Sequence, residues 1–270
     1  MYDQSSPFAS PQPPGPTAKS AMAIQVLRHA ILSCELTPGG AFSEIEIETR
    51  YRLARAGIRS ALQALAAEGL VTPVPRQGWR TRPITGVFIS DLIAARRHIE
   101  PALAHVKMGP AECERLQTLA ALATTLAGRR DPQAIVTARV TDRQFLALLA
   151  DRVDGFHKKW LHELWDHSQR VLNFLERGEA QYQSPSREDL LIALKASDVT
   201  GATEQISREV VRFETYVTRA WLRHPDVLSA PAHQRTARRY RPQGQASQGA
   251  PGEQRSPSIH DAQARQLKEN

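Results

Sequence analysis

The chain has 270 residues, a length that suggests about two domains. Its 41% hydrophobic and 23% charged residues are ordinary for a globular protein, and no apolar run approaches the ~18–20 residues that span a bilayer. Two cysteines cannot build a disulfide framework or a cysteine-ligated zinc site, the first 20 residues lack the apolar core of a secretory leader, and a net charge of +7 points to a polyanionic partner in the cytoplasm.

The charge is unevenly placed. Residues 1–18 hold five prolines, one acid and no base, and are expected to be a disordered tail. Residues 19–85 carry nine bases and five acids, and residues 86–230 carry nineteen of each. Residues 231–270 are rich in Gln, Ser, Gly and Pro, with seven bases against three acids, and read as a disordered basic tail. Within the first ordered block, residues 50–82 have seven arginines and a single acid, Glu68. A solvated surface normally mixes signs, so this one-sided run favours phosphate binding.

In chain order, residues 20–33 place Ile24, Leu27, Ile31 and Leu32 at helical spacing, and Thr37-Pro38-Gly39-Gly40 is expected to end that helix. Ser43 opens a second helix in capping-box register with Glu46, running to about Tyr51 with Ile45 on its apolar face. A third helix is expected over about 55–68. Ile58, Leu62 and Leu65 form one face of it, and Arg55, Arg59 and Gln63 another, which suits a major-groove reader. Gly69 caps it. Residues 70–73 and 79–82 read as two short strands joined by Pro75-Arg76-Gln77-Gly78, a basic hairpin or wing.

Position by position, residues 36–83 resemble the winged helix-turn-helix of the GntR family of bacterial transcription regulators. The matching landmarks are Pro38-Gly39, Phe42-Ser43-Glu44, Arg55, Ile58-Arg59, Ala61-Leu62, Leu65, Glu68-Gly69-Leu70-Val71, Arg76 and Gly78. The resemblance implies that Arg55 and Arg59 contact operator bases or nearby phosphates and that Gly78 lets the wing approach the minor groove. It gives a DNA-binding set of Ser43, Arg50, Arg52, Arg55, Ala56, Arg59, Arg76, Gln77 and Gly78. The sequence also departs from the family. Ala54 stands at the usual N-cap serine, Ala56 lacks the usual phosphate-contacting hydroxyl, Gly57 replaces a proline, and Arg52 occupies the usual turn glycine.

Residues 86–230 read as all-helical, with helices expected at 89–108, 110–128, 132–152, 156–178, 186–196 and 199–223. Pro110, Asp131-Pro132 and a capping-box-like Ser186 with Asp189 supply starts, and Gly109, Gly128 and Gly178 supply ends. Leu146, Leu149, Trp160, Leu164, Val171, Phe174, Leu191, Leu194, Val210 and Phe213 are the expected core. The fold class expected is therefore mainly α: an N-terminal winged helix-turn-helix with a small β-hairpin wing, then an all-α antiparallel helical bundle.

This second block resembles the FCD effector-binding domain of the FadR-type branch of the same family. The matching stretches are Leu92 with Arg96-Arg97-His98-Ile99-Glu100-Pro101, Asp142-Arg143-Gln144-Phe145, Leu191-Ile192-Ala193-Leu194-Lys195 with Asp198, and Ala202. Most FCD domains hold a divalent metal through one aspartate and three histidines. Those positions fall here on Asp142, Leu146, Arg187 and Glu209, so no metal cofactor is expected. Two alternatives stay open: Arg187 replaces the cation and bridges Asp142 and Glu209, or the three are surface charges. Arg96 either faces the cavity to bind a carboxylate effector or pairs with Glu100 one turn on. His157, His162 and His167, spaced by five, read as surface or interfacial residues and not as a ligand set.

The function expected is a ligand-responsive regulator and not an enzyme. It would act as a repressor, bind a two-fold operator in double-stranded DNA as a homodimer, and respond to a small organic effector, a carboxylate among the candidates, held by Arg96, Asp142, Arg187 and Glu209. The alternatives are an effector-insensitive DNA-binding scaffold and a metal-dependent enzyme built in the bundle.

Overall fold

A computed structural model describes residues 18–176 and 181–223, with side chains from residue 20. The expected tails, Ala18 apart, and the expected helix stop at Gly178 lie outside the described residues.

The N-terminal part is three helices and a small sheet. Helix α1 (Ala18–Leu32) buries Ala23, Leu27, Ala30 and Ile31, the spacing of one helical face. It ends earlier than the Thr37–Gly40 turn. Cys34 takes a left-handed φ of 59°, and the Leu36 N–H returns to the Ala30 carbonyl at 2.9 Å. The turn instead holds the sheet: Gly39 and Gly40 exchange backbone hydrogen bonds with Thr81, whose hydroxyl donates to the Thr37 carbonyl.

Strand β1 (Ala41–Phe42), not expected from the sequence, leads into α2 (Glu44–Tyr51). Two residues are too short to show an alternating pattern. Ser43 caps α2 as expected, accepting from the Glu46 N–H at 3.1 Å while the Glu46 carboxylate accepts from the Ser43 N–H at 2.7 Å. The expected apolar face of α2 needs correction, since Ile47 is buried and Ile45 is 64% exposed. The two lie about 200° apart around a helix, so only one of them can face α3. Arg52 then adopts φ 53°, the left-handed conformation a glycine fills more easily.

Helix α3 (Arg55–Ala67) buries Ile58, Ala61, Leu62 and Leu65 against α1. Its end satisfies two orphan carbonyls, with Gly69 at φ 71° donating to Ala66 and Leu70 donating to Leu65. Strands β2 (Val71–Val74) and β3 (Gly78–Thr81) form the wing in an antiparallel sheet of order β1-β3-β2, with Val71 opposite Thr81 and Phe42 opposite Trp79.

The remainder is a helical bundle: α4 (Gly86–Ile99), a 3₁₀ turn (Glu100–His105), α5 (Pro110–Leu126), α6 (Pro132–Ala150), α7 (Gly155–Leu175), α8 (Glu188–Lys195) and α9 (Val199–Arg223). The single helix expected over 89–108 is broken at Pro101, whose ring removes a donor from the ladder, and the chain tightens into the 3₁₀ turn. Thr85, Asp131 and Asp154 cap α4, α6 and α7 through their side chains. Ser186 is not the cap of α8. That position is Arg187, whose side chain is engaged elsewhere.

The bundle core has two clusters. One gathers Leu116, Phe145, Leu149, Leu161, Trp165 and Leu194, and the other Phe88, Leu92, Val171, Leu175, Val210 and Phe213. The core tryptophan of α7 is Trp165, five residues beyond the expected Trp160, which is 42% exposed. No helix among the described residues is long and apolar enough to cross a membrane.

Candidate functional site

Two places collect the residues singled out in the sequence. The first is the outer face of α3 with the wing. Burial of Ile58, Leu62 and Leu65 turns Arg55 and Arg59 outward, with side chains 70% and 68% exposed. Each is held by an acid of α2. Arg55 Nε donates to Glu48 Oε2 at 2.6 Å, and Arg59 donates through Nη2 and Nε to the two oxygens of Glu44 at 3.0 and 3.4 Å. Trp79 of the wing adds an indole N–H to Glu44 at 3.5 Å. The hydrogen bond from Arg59 holds the Glu44 carboxyl below its usual range, partly offset by burial, with Trp79 helping.

The sequence suggested the arginines but missed these counter-ions. The signal was the acidic run Glu44, Glu46 and Glu48 two turns before a basic helix. Ala56, Arg52, Arg76 and Gln77 are exposed around the same segment. Arg76 has φ 63° and Gly78 φ 92° in the wing turn. A Cβ on Gly78 would lie 2.7 Å from the Phe42 carbonyl oxygen, so glycine is required there by close packing on β1 as well as by its dihedral. Two of the expected set have work within the fold: Ser43 caps α2, and Arg50 pairs with Glu35 at 2.8 Å.

Residues 19–80 match the family model described as bacterial regulatory proteins, gntR family. The similarity to that family lies in this segment. Over 80 residues the chain is 31% identical to the HTH-type transcriptional repressor RspR of Escherichia coli K12 and to the HTH-type regulator YdfH of Shigella flexneri. That stretch covers 30% of this chain and 35% of those relatives, so the chain spans about a third of the curated relatives it matches. The fold extends further than the sequence similarity. McbR/YncC of E. coli aligns with a TM-score of 0.60 at 18% identity over 77% of this chain and 99% of that one. A chain described as a transcriptional regulator GntR from Rhodococcus sp. RHA1 aligns at 0.59 and 22% identity over 76% and 99%. Together with the GntR segment, the bundle therefore adopts a fold seen in such regulators.

The second place is a cavity of about 170 Å³ inside the bundle, with Leu32 at the end of α1 in its wall. All four expected cavity residues line it. Arg187, 6% exposed, donates to both oxygens of Asp142 at 2.6 and 3.2 Å. The bridge stops there, since no hydrogen bond among the described residues joins Arg187 to Glu209. Burial opposes the charge on Arg187, and Asp142 more than reverses that. Glu209 is pushed upward by burial, partly offset by Arg187.

Arg96 takes the Glu100 pairing, one of the two alternatives left open by the sequence, and its side chain also faces the cavity. It is buried on Glu100 at 2.6 and 3.3 Å, stacks its guanidinium 4.4 Å from the Phe213 ring centroid, and lines the cavity. Trp165 donates its indole N–H to Glu100 Oε1, the oxygen that also accepts from Arg96 Nε, at 3.0 Å. The metal that the FCD resemblance implies does not fit this set. Leu146 offers no donor atom, and Arg187 brings a cation that already occupies Asp142.

The two places are joined by ion pairs that no local sequence pattern signals. Arg143, on the cavity wall, donates to Asp166 Oδ1 at 2.7 Å. Asp166 Oδ2 accepts from Arg28 of α1 at 3.2 Å, and Arg28 pairs with Glu68 at the end of α3. His167 is buried beside this chain of charges and not at the surface, which corrects the expectation for that residue. Burial first, then Arg170 and Arg82, lower its pKa to about 4, against a hydrogen bond with the Glu68 backbone that favours the charged form. His157 is half-exposed and pairs with Asp154, and His162 meets Arg143 at 3.2 Å.

Proposed function

We propose that this protein is a DNA-binding transcription regulator of the FadR-type, FCD-containing branch of the GntR family, acting in the cytoplasm as a homodimer on a two-fold operator and, in the commoner mode of that family, as a repressor. The observation that carries the reading is the pair of outward-facing guanidiniums, Arg55 and Arg59, one turn apart on α3 of the GntR segment. Side chains so spaced on one helix face can enter a major groove together, and the wing with Arg76 and Gln77 would track the flanking backbone. Without DNA, Glu48 and Glu44 accept hydrogen bonds from these arginines. DNA binding then exchanges carboxylate for phosphate or base, so affinity falls steeply with salt.

In this reading the cavity is the effector site, with Arg96, Asp142, Arg187 and Glu209 on its wall. A ligand that displaces Arg143 would release Asp166, and with it the grip of Arg28 on Glu68 at the end of the recognition helix. That gives ligand and DNA sites a shared set of ion pairs through which each biases the other. The experiment is binding of the wild-type chain and of the Arg55→Ala/Arg59→Ala variant to duplexes selected from a random pool. An inverted repeat among the selected duplexes supports the two-fold operator.

A further inference from the structure

Four arginines line the cavity, and each is already neutralised. Arg187 lies on Asp142, Arg96 on Glu100, Arg143 on Asp166 and Arg139 on Glu176. Glu209 is the acid left over. Its side chain is 13% exposed, and among the described residues its buried Oε2 atom has no hydrogen-bond partner and its one ion pair is a distant 3.8 Å contact with the half-exposed Arg212. A buried carboxylate with no donor is costly, so a donor belongs against it. The same wall holds donors that lack acceptors: Arg143 Nη1 and Arg139 Nε are buried and unpartnered among the described residues. The side chains that line the cavity thus carry one unmet acceptor and two unmet donors, all three buried in its wall, and Leu146, Leu172 and Phe213 add apolar surface to the same wall.

We propose that the cavity binds a small zwitterionic molecule whose protonated amine pairs with Glu209 and whose carboxylate reaches the free edges of Arg143 and Arg139. The proposal rests on the reading of this cavity as the effector site and names the ligand class for it. A simple carboxylate would answer the guanidiniums, each of which already holds an acid, and would leave Glu209 unmet while adding a second negative charge beside it. A simple amine would answer Glu209 and leave the arginine edges unmet. A zwitterion satisfies both and adds no net charge to a cavity with little room for counter-ions. A metal ion in place of the amine would find Asp142 and Glu209 but no third His, Cys, Asp or Glu grouped with them among the described residues.

The test uses the full chain in thermal melting and titration calorimetry with four probe sets: ω-amino acids of three to six carbons, the matching alkanoates, the matching alkylamines, and manganese chloride alone. A member of the amino-acid series is expected to raise the melting temperature where its alkanoate and alkylamine do not. Glu209→Gln, checked for native circular dichroism, is expected to weaken binding of that probe at least tenfold. If the variant does not fold, the comparison of probes on the wild-type chain decides alone. Alkanoates binding as well as the amino acids, manganese alone stabilising the chain, or Glu209→Gln leaving affinity unchanged each overturns the ligand class and leaves the effector reading standing. No stabilisation by any organic probe overturns both.

Discussion

At the scale of single residues, each arginine of the cavity wall holds a carboxylate, and a buried arginine without one is informative. Arg170 is fully buried on α7, with Nη2 donating to the Arg82 carbonyl and with Nε and Nη1 unpartnered among the described residues. Burial pulls its pKa down to about 10. Beside it, His167 packs edge-on against Phe88 and is held neutral, its pKa lowered from 6.5 to about 4. The unfolded chain therefore takes up a proton at this histidine as pH falls below 6.5, while the folded chain refuses it until about pH 4. Stability from this group is complete above pH 6.5 and is lost across that window, by up to about 1.4 kcal/mol per pH unit and about 3 kcal/mol in all. Urea denaturation at pH 7, 6 and 5 should show this fall in the wild type and a shallower one in His167→Gln. Equal slopes would mean that His167 titrates normally. The five-residue spacing of the α7 histidines gave no hint of this, because spacing says where a side chain points and not what packs over it.

At the scale of elements, start and stop signals were readable where a local mechanism sets them. The capping box of Ser43 and Glu46, the Gly69 end of α3 and the Asp131-Pro132 start of α6 need only their own neighbours. Elements that depend on distant partners were not readable: β1 exists because β3 pairs with it, and Trp165 displaces Trp160 from the core because Glu100 and the α5–α6 side need a tryptophan there. The departure at Ala54 has a measurable consequence. Ala54 occupies the N-cap of α3 with φ −71° and ψ 138°, the right backbone for a cap, and has no side-chain oxygen to satisfy the first turn. Ala54→Ser should stabilise the chain by about 0.5–2 kcal/mol in urea denaturation. An unchanged midpoint would show that the first turn of α3 is satisfied in some other way.

At the scale of the whole molecule, the ion pairs Arg143–Asp166–Arg28–Glu68 link the cavity wall to the C-terminal end of α3, aided by Asn173, which donates to the Leu32 carbonyl at 2.8 Å. Asp166→Asn leaves two partly buried guanidiniums short of a carboxylate and should cost about 1–3 kcal/mol of stability. Removing the exposed partner in Arg97→Ala should cost less than about 1 kcal/mol. Equal small losses in urea denaturation would show that Asp166 carries no special load. Of the candidate site, the arginines of α3 and four of the residues on the cavity wall were readable from the order of residues. The acids that hold the arginines, and the link between the two places, were not, because they depend on how α1, α2 and α7 come together. The central claim is that α3 reads DNA through Arg55 and Arg59, and fluorescence anisotropy on a selected duplex tests it most directly. The Arg55→Ala/Arg59→Ala variant, melting like the wild type, should lose about 2–6 kcal/mol of specific binding, at the common cost of about 1–3 kcal/mol for each good base contact, and should show a shallower salt dependence. Affinity and salt dependence equal to the wild type would contradict the account.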